Sequence, residues 1–134
     1  MTATVSMDLS QHLVRIDFSG KLDVKDIIRS LKNLIENPDY QKGTSLLFDF
    51  SEAYIDADYY ELDRLRNYIS AICDFLGECK CAFVTHNNPS KVVIKLLSIM
   101  CEAYHLGFHA QIFEEQAAAL KWLQAEDVNQ LHQV

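Results

Sequence analysis

The sequence predicts an α/β domain: a mixed, mostly parallel β-sheet with helices packed on it, in the order ββαβαβαβα. Three observations predict it. Two short β-patterned segments open the chain, close enough together to form a hairpin. After them, short apolar runs alternate with segments of helical period, the pattern of strand–crossover–strand units. The chain has 134 residues, the size of one domain, with no internal repeat or low-complexity tract.

Residues 2–7 are rich in β-formers. Residues 13–18 alternate Leu13, Arg15 and Asp17 against Val14, Ile16 and Phe18. The intervening Asp8-Leu9-Ser10-Gln11 has turn character, and Gly20 is expected to end the second strand. Asp23 reads as a helix N-cap, with Asp26 near the positive end of the helix dipole. Val24, Ile27, Ile28, Leu31, Leu34 and Ile35 form one apolar face, and Asn37-Pro38 stops that helix.

Residues 45–50 (SLLFDF) are a nearly continuous apolar run, expected for a strand covered on both faces. A second helix is expected from about Asp58 to Leu76, burying Tyr59, Leu62, Leu65, Ile69, Ile72, Cys73 and Leu76, with Gly77 as its terminator. Residues 79–85 (CKCAFVT) form the next strand. Asn88 caps a third helix with Pro89 at its first position, where the missing N–H does no harm, and Gly107 ends it. Residues 109–113 (HAQIF) form the last strand. Glu114 and Glu115 open a short helix carrying Ala117, Leu120 and Leu123, and the tail from Asp127 is polar.

Hydrophobic residues make up 49% of the chain and charged residues 23%, a globular balance. The formal net charge is −7, and the basic residues are scattered. Nucleic-acid binding needs a positive surface that displaces counterions from phosphates, so no nucleic-acid partner is expected. The most apolar stretch, residues 92–106, is broken by Lys95 and Glu102, and no transmembrane segment is expected. No basic stretch followed by an apolar core opens the chain. With four cysteines, the expectation is a cytoplasmic protein with reduced thiols.

Three stretches carry a family resemblance. The first is Phe18-Ser19-Gly20-Lys21-Leu22-Asp23, and the second is LLFDFSEAYIDAD over 46–58. The third runs from Ile112-Phe113-Glu114 to Ala119-Leu120-Lys121-Trp122-Leu123. With the element order, they resemble the STAS fold of anti-sigma-factor antagonists, and more closely the SpoIIAA-like family of small bacterial proteins. The resemblance covers nearly the whole chain and implies a STAS/SpoIIAA-like mixed sheet with an opening hairpin and about four helices. Its motifs are structural rather than chemical. Phosphorylation-switched STAS proteins have a serine after the second aspartate. Here Asp56 is followed by Ala57 and Asp58, and no Ser or Thr lies between Glu52 and Asn67. A phosphoryl switch of that kind at the helix start has no serine or threonine acceptor.

Four constellations are candidates for function. Asp49, Glu52, Asp56, Asp58 and Asp63 could gather hard oxygen ligands at a strand end, or serve as caps and solvated charges. Cys79 and Cys81 point to one side of a strand near Cys73. C-x-C without a second pair is not metal-ligand spacing, so these thiols are expected to pack. The loop Thr85-His86-Asn87-Asn88-Pro89-Ser90 enters a helix N-terminus, where His86 and Asn88 could make a polar site, or simply cap the helix.

The third helix is the leading candidate. Lys91, Lys95, Ser98, Glu102 and His105 form one narrow polar stripe; almost everything else there is apolar. Val93, Leu96, Met100 and Tyr104 are expected to face the sheet. The surface around Ile94, Leu97, Cys101 and Tyr104 is expected to meet core, a partner or an apolar ligand.

The leading expectation is a non-enzymatic regulatory or protein-interaction module, with a homodimer or another protein as partner. The alternatives are a carrier or sensor of a small apolar ligand or lipid, and a small enzyme using the acidic corner near Asp56. No cofactor and no metal are expected.

Overall fold

The computed structural model describes residues 2–8, 10–86, 88–103 and 107–125. Strand β1 (Thr2–Asp8) pairs antiparallel with β2 (Leu13–Leu22), as the turn signal at Asp8 implies. The Asp8 carboxylate accepts from Ser10 Oγ at 2.6 Å and from the Gln11 N–H at 3.3 Å, which fixes that turn. Helix α1 (Val24–Glu36), strand β3 (Ser45–Ile55), helix α2 (Tyr59–Leu76), strand β4 (Cys79–Val84), helix α3 (Asn88–Ala103), strand β5 (Phe108–Phe113) and helix α4 (Gln116–Gln124) follow. The sheet order is β1-β2-β3-β4-β5, and every pair from β2 onward is parallel.

That order decides where the helices go. Each crossover between neighbouring parallel strands is right-handed, so a sheet that grows in one direction receives its crossover helices on one face. Accordingly α1, α2 and α3 pack with Val14, Ile16, Phe18, Leu46, Phe48 and Cys81 into the larger core. Helix α4 follows the last strand and is free of this rule. It lies on the other face, where Ala119 and Leu123 bury Leu47, Ala82 and Val84. Lys80 secures the end of α4, its amine 5.4 Å from the Trp122 ring centroid and donating to the Trp122 and Ala125 carbonyls at 3.4 and 3.3 Å.

Both early helices begin in capping boxes. The Asp23 side chain accepts from the Asp26 N–H while the Asp26 side chain accepts from the Asp23 N–H; Asp58 and Glu61 repeat the arrangement on α2. Helix α2 buries Leu62, Leu65, Ile69, Ile72 and Leu76. Tyr59 and Cys73 are not on its buried line: Tyr59 stands exposed at the first turn and Cys73 is half-buried. Gly77 ends α2 at φ 78°, and a Cβ there would come within 2.8 Å of the Gly43 nitrogen and Lys42 Cγ. Backbone conformation and close chain approach both require glycine at this position.

Two strand boundaries differ from the sequence expectation. Strand β2 does not end at Gly20 but continues to Leu22, and β3 continues past Phe50 to Ile55. The cause is a slip in register: Asp17 faces Asp49, but Ser19 faces Glu52, so Phe18 is opposed by two residues, Phe50 and Ser51. Before the slip, Leu46, Phe48 and Phe50 face the helices; after it, Ala53 and Ile55 do. A period-two reading breaks at that point and makes the strand look finished. Phe18 stacks on Phe50 with ring centroids 4.7 Å apart, and Phe48 on Phe83 at 5.4 Å, which fixes the bulge against the core.

Candidate functional site

The acidic corner does not converge. Asp49 is buried, its carboxylate accepting from the Ser51 N–H and from Gln116 Nε2, both at 2.8 Å, and so ties β3 to the start of α4. Asp56 is exposed and pairs with Lys21 at 3.5 Å. Asp58 is the α2 cap, accepting from the Glu61 N–H at 2.9 Å. Asp63 is held by Arg66 at 3.0 Å. These four carboxylates are engaged separately, and no three His, Cys, Asp or Glu groups gather as metal ligands among the described residues.

At the entrance to α3, Ser90 is the working residue. Its buried Oγ accepts from the Ile55 N–H at 3.1 Å and joins the end of β3 to the first turn of α3. His86 is exposed beside this turn, Asn88 is the first residue of α3, and Asn87 lies outside the described residues. Lys91 pairs with Glu114 across the end of β5; the hydrogen bond and charge of Lys91 lower the Glu114 pKa. The Ser90 contact joins residues 35 apart, and nothing in the local sequence signals it.

Three of the four thiols, Cys79, Cys81 and Cys101, are core groups. Cys79 and Cys81 Sγ atoms lie 3.9 Å apart in the interior, and all four cysteines are free. The hydrogen bond shared with Cys79, then burial, push the Cys81 pKa well above its ordinary value. Burial pushes Cys101 up to about 11, against the smaller opposing pull of Arg66. Thiols held neutral in this way are poor nucleophiles and poor metal ligands.

Helix α3 is rotated relative to the sequence expectation. Ile94, Leu97 and Cys101, expected to meet core, a partner or an apolar ligand, are 2%, 8% and 5% exposed and belong to the core. Leu96, expected to face the sheet, points outward; Tyr104 lies outside the described residues. The polar stripe does not lie opposite the sheet: at 100° per residue it stands about a quarter turn from the buried line. There Lys91 meets Glu114, and Ser98 Oγ is buried without a hydrogen-bond partner. Directly opposite the core, Val92, Leu96 and Ile99 are 58%, 46% and 53% exposed. Helix α4 covers none of this line, because it occupies the other face of the sheet.

Two voids adjoin α3. An apolar cavity of about 40 Å³ lies beneath it, lined by Ile27, Leu31, Phe48, Phe83, Ile94 and Leu97 among others. A polar cleft of about 280 Å³ opens at the β5 edge between Ser98, Glu102, His109 and Trp122. His109 in that cleft is 2.9 Å from the Glu78 carboxylate. Among the described residues no helix is long and apolar enough to cross a membrane.

No protein-family model and no curated protein matches the sequence. Among solved structures, the chain is similar to an uncharacterized protein of the DUF3478 family, with a SpoIIAA-like fold, from Shewanella loihica PV-4. The two are 11% identical and superpose with a TM-score of 0.56 over 91% of this chain and 92% of that one. At that identity the likeness speaks for architecture alone. Over that coverage the chain, with its opening hairpin and parallel run β2 to β5, has a SpoIIAA-like fold.

Proposed function

We propose that this protein is a non-enzymatic, cytoplasmic interaction module that meets another protein through the outer line of α3. The observation that carries the reading is the row Val92, Leu96 and Ile99, three large apolar side chains left about half exposed on one helix. Water-facing positions of a surface helix are ordinarily polar, and a contiguous apolar line on one marks an interaction site. The carrier alternative calls for an apolar cavity of roughly 300 Å³ or more. The cavity under α3 has about 40 Å³. The enzyme alternative calls for convergent polar groups, and the carboxylates near Asp56 are each engaged separately. Free thiols at all four cysteines suit a reducing compartment.

The test is a photoactivatable residue at position 96, with a control at exposed Lys25 on α1, irradiated in living cells. Protein-sized adducts at position 96 and none at position 25 are the expected result. Adducts of small apolar molecules alone would transfer the site to a carrier, and the absence of any adduct would end this reading.

A further inference from the structure

We propose that the partner of α3 is α3 of a second copy, packed antiparallel about a twofold axis; this rests on the interaction reading above. The spacing of the exposed line is the first reason. Val92, Leu96, Ile99 and Ala103 recur at intervals of four, three and four, the seam spacing of helices that pack side by side. The next residue in that series is Leu106, which lies outside the described residues. A solvated helix has no need of such a seam.

The flanks of the seam supply the second reason. On the α2 side are Val93 and Met100, half-buried and packed against the larger core. On the β5 side are Lys95 and Glu102, both exposed, with no ion pair among the described residues. An antiparallel pairing with Leu96 opposite the partner's Ile99 brings Val92 opposite the partner's Ala103. The same register puts Val93 beside the partner's Met100 and Lys95 beside the partner's Glu102. The twofold axis then repeats each contact. Apolar flank meets apolar flank, and each lysine meets a glutamate.

A parallel pairing in register would instead set Lys95 by the partner's Met100 and leave both charges unmatched. A twofold interface requires one patch to complement itself, and this patch does so in the antiparallel sense only. With one lysine and one glutamate the patch is locally neutral, so the formal net charge of −7 does not fall at the contact.

The contact is small. One face of a sixteen-residue helix, about 24 Å long and ~10 Å across, covers far less than the ~800 Å² per partner of a standard interface. The dimer is therefore reversible and concentration-dependent. Sedimentation velocity on the full chain from about 1 to 200 μM, a range chosen to bracket micromolar affinity, is the test.

The unmodified protein is expected to shift from monomer to dimer across that range. Leu96→Glu, or the milder Leu96→Gln if circular dichroism shows lost helix, should raise the dimer Kd at least about tenfold. Lys95→Glu and Glu102→Lys should each weaken pairing about three- to tenfold, and the double reversal should return it to within about twofold of the original. A monomer at all concentrations, a folded Leu96 variant that still dimerises, or a double reversal that fails to restore pairing overturns the proposal. If the protein is monomeric yet position 96 cross-links to a different protein, self-pairing is wrong and the interaction reading stands. If position 96 captures no protein, both fall.

Discussion

Ser90 shows how much one hydroxyl can hold in place. Its Oγ satisfies the last backbone donor of β3 in the interior, where water cannot substitute for it. Ser90→Ala should cost about 1–3 kcal/mol, the usual penalty for stranding a buried donor. Urea unfolding followed by circular dichroism would measure it, and a loss below about 0.5 kcal/mol would mean that the Ile55 N–H finds another acceptor. Thr85 and Ser98 present the opposite case, buried hydroxyl oxygens with no hydrogen-bond partner. At the end of β4 and in the second half of α3 these two side chains are held by shape rather than by hydrogen bonds.

Among the elements, α2 gives the sharpest test. Asp56 and Asp58 were equal candidates for its cap on sequence grounds, and the structure assigns the role to Asp58. Asp58→Ala should lower stability by about 1 kcal/mol, whereas Asp56→Ala, losing only an exposed pair with Lys21, should change it by less than about 0.5 kcal/mol. Thermal melts of the two variants side by side would decide it, and equal losses would contradict the assignment.

The same elements show what can be read from a sequence. The α1 stripe was legible because its polar face is continuous, so the period also fixes the phase. Helix α3 was legible as a helix but not in its rotation. With apolar residues almost all round, the period survives while the phase is lost, and Ile94 changed places with Leu96. The extension of β3 beyond Phe50 was hidden because a slipped register reverses the alternation partway along. Of the candidate sites, the Asp58 cap and the Asp63 pair with Arg66 follow local i,i+3 spacing, whereas the duty of Asp49 depends on Gln116, a distant partner that no local pattern announces.

For the whole molecule, buried thiols and a tyrosine make the fold sensitive to alkali. Burial raises the Cys101 pKa from about 9 to about 11, and Cys81 and the half-buried Tyr40 shift the same way. Above the unfolded value the unfolded chain releases these protons while the folded one keeps them, so stability falls as pH rises. The urea midpoint should be level below pH 9 and decline between about 9 and 11. Cys101→Val should flatten part of that decline. A midpoint that stays level to pH 11 would mean these groups ionise as easily inside the fold as outside it.

The extra residue in β3 also bears on how this chain is matched to its relatives. Phe50 and Ser51 together take up one step of the ladder, so one of them adds length to the sequence without adding length to the strand. Any correspondence made by counting residues forward from the apolar run at 46–50 is therefore out of step by one before it reaches α2. The fixed landmark beyond that point is the cap: whatever residue precedes the first turn of α2 in a related chain corresponds to Asp58, however many letters separate it from the strand. By that ruler Ala57 is the residue immediately before the cap, and comparisons of this helix start across SpoIIAA-like folds are best anchored on backbone position.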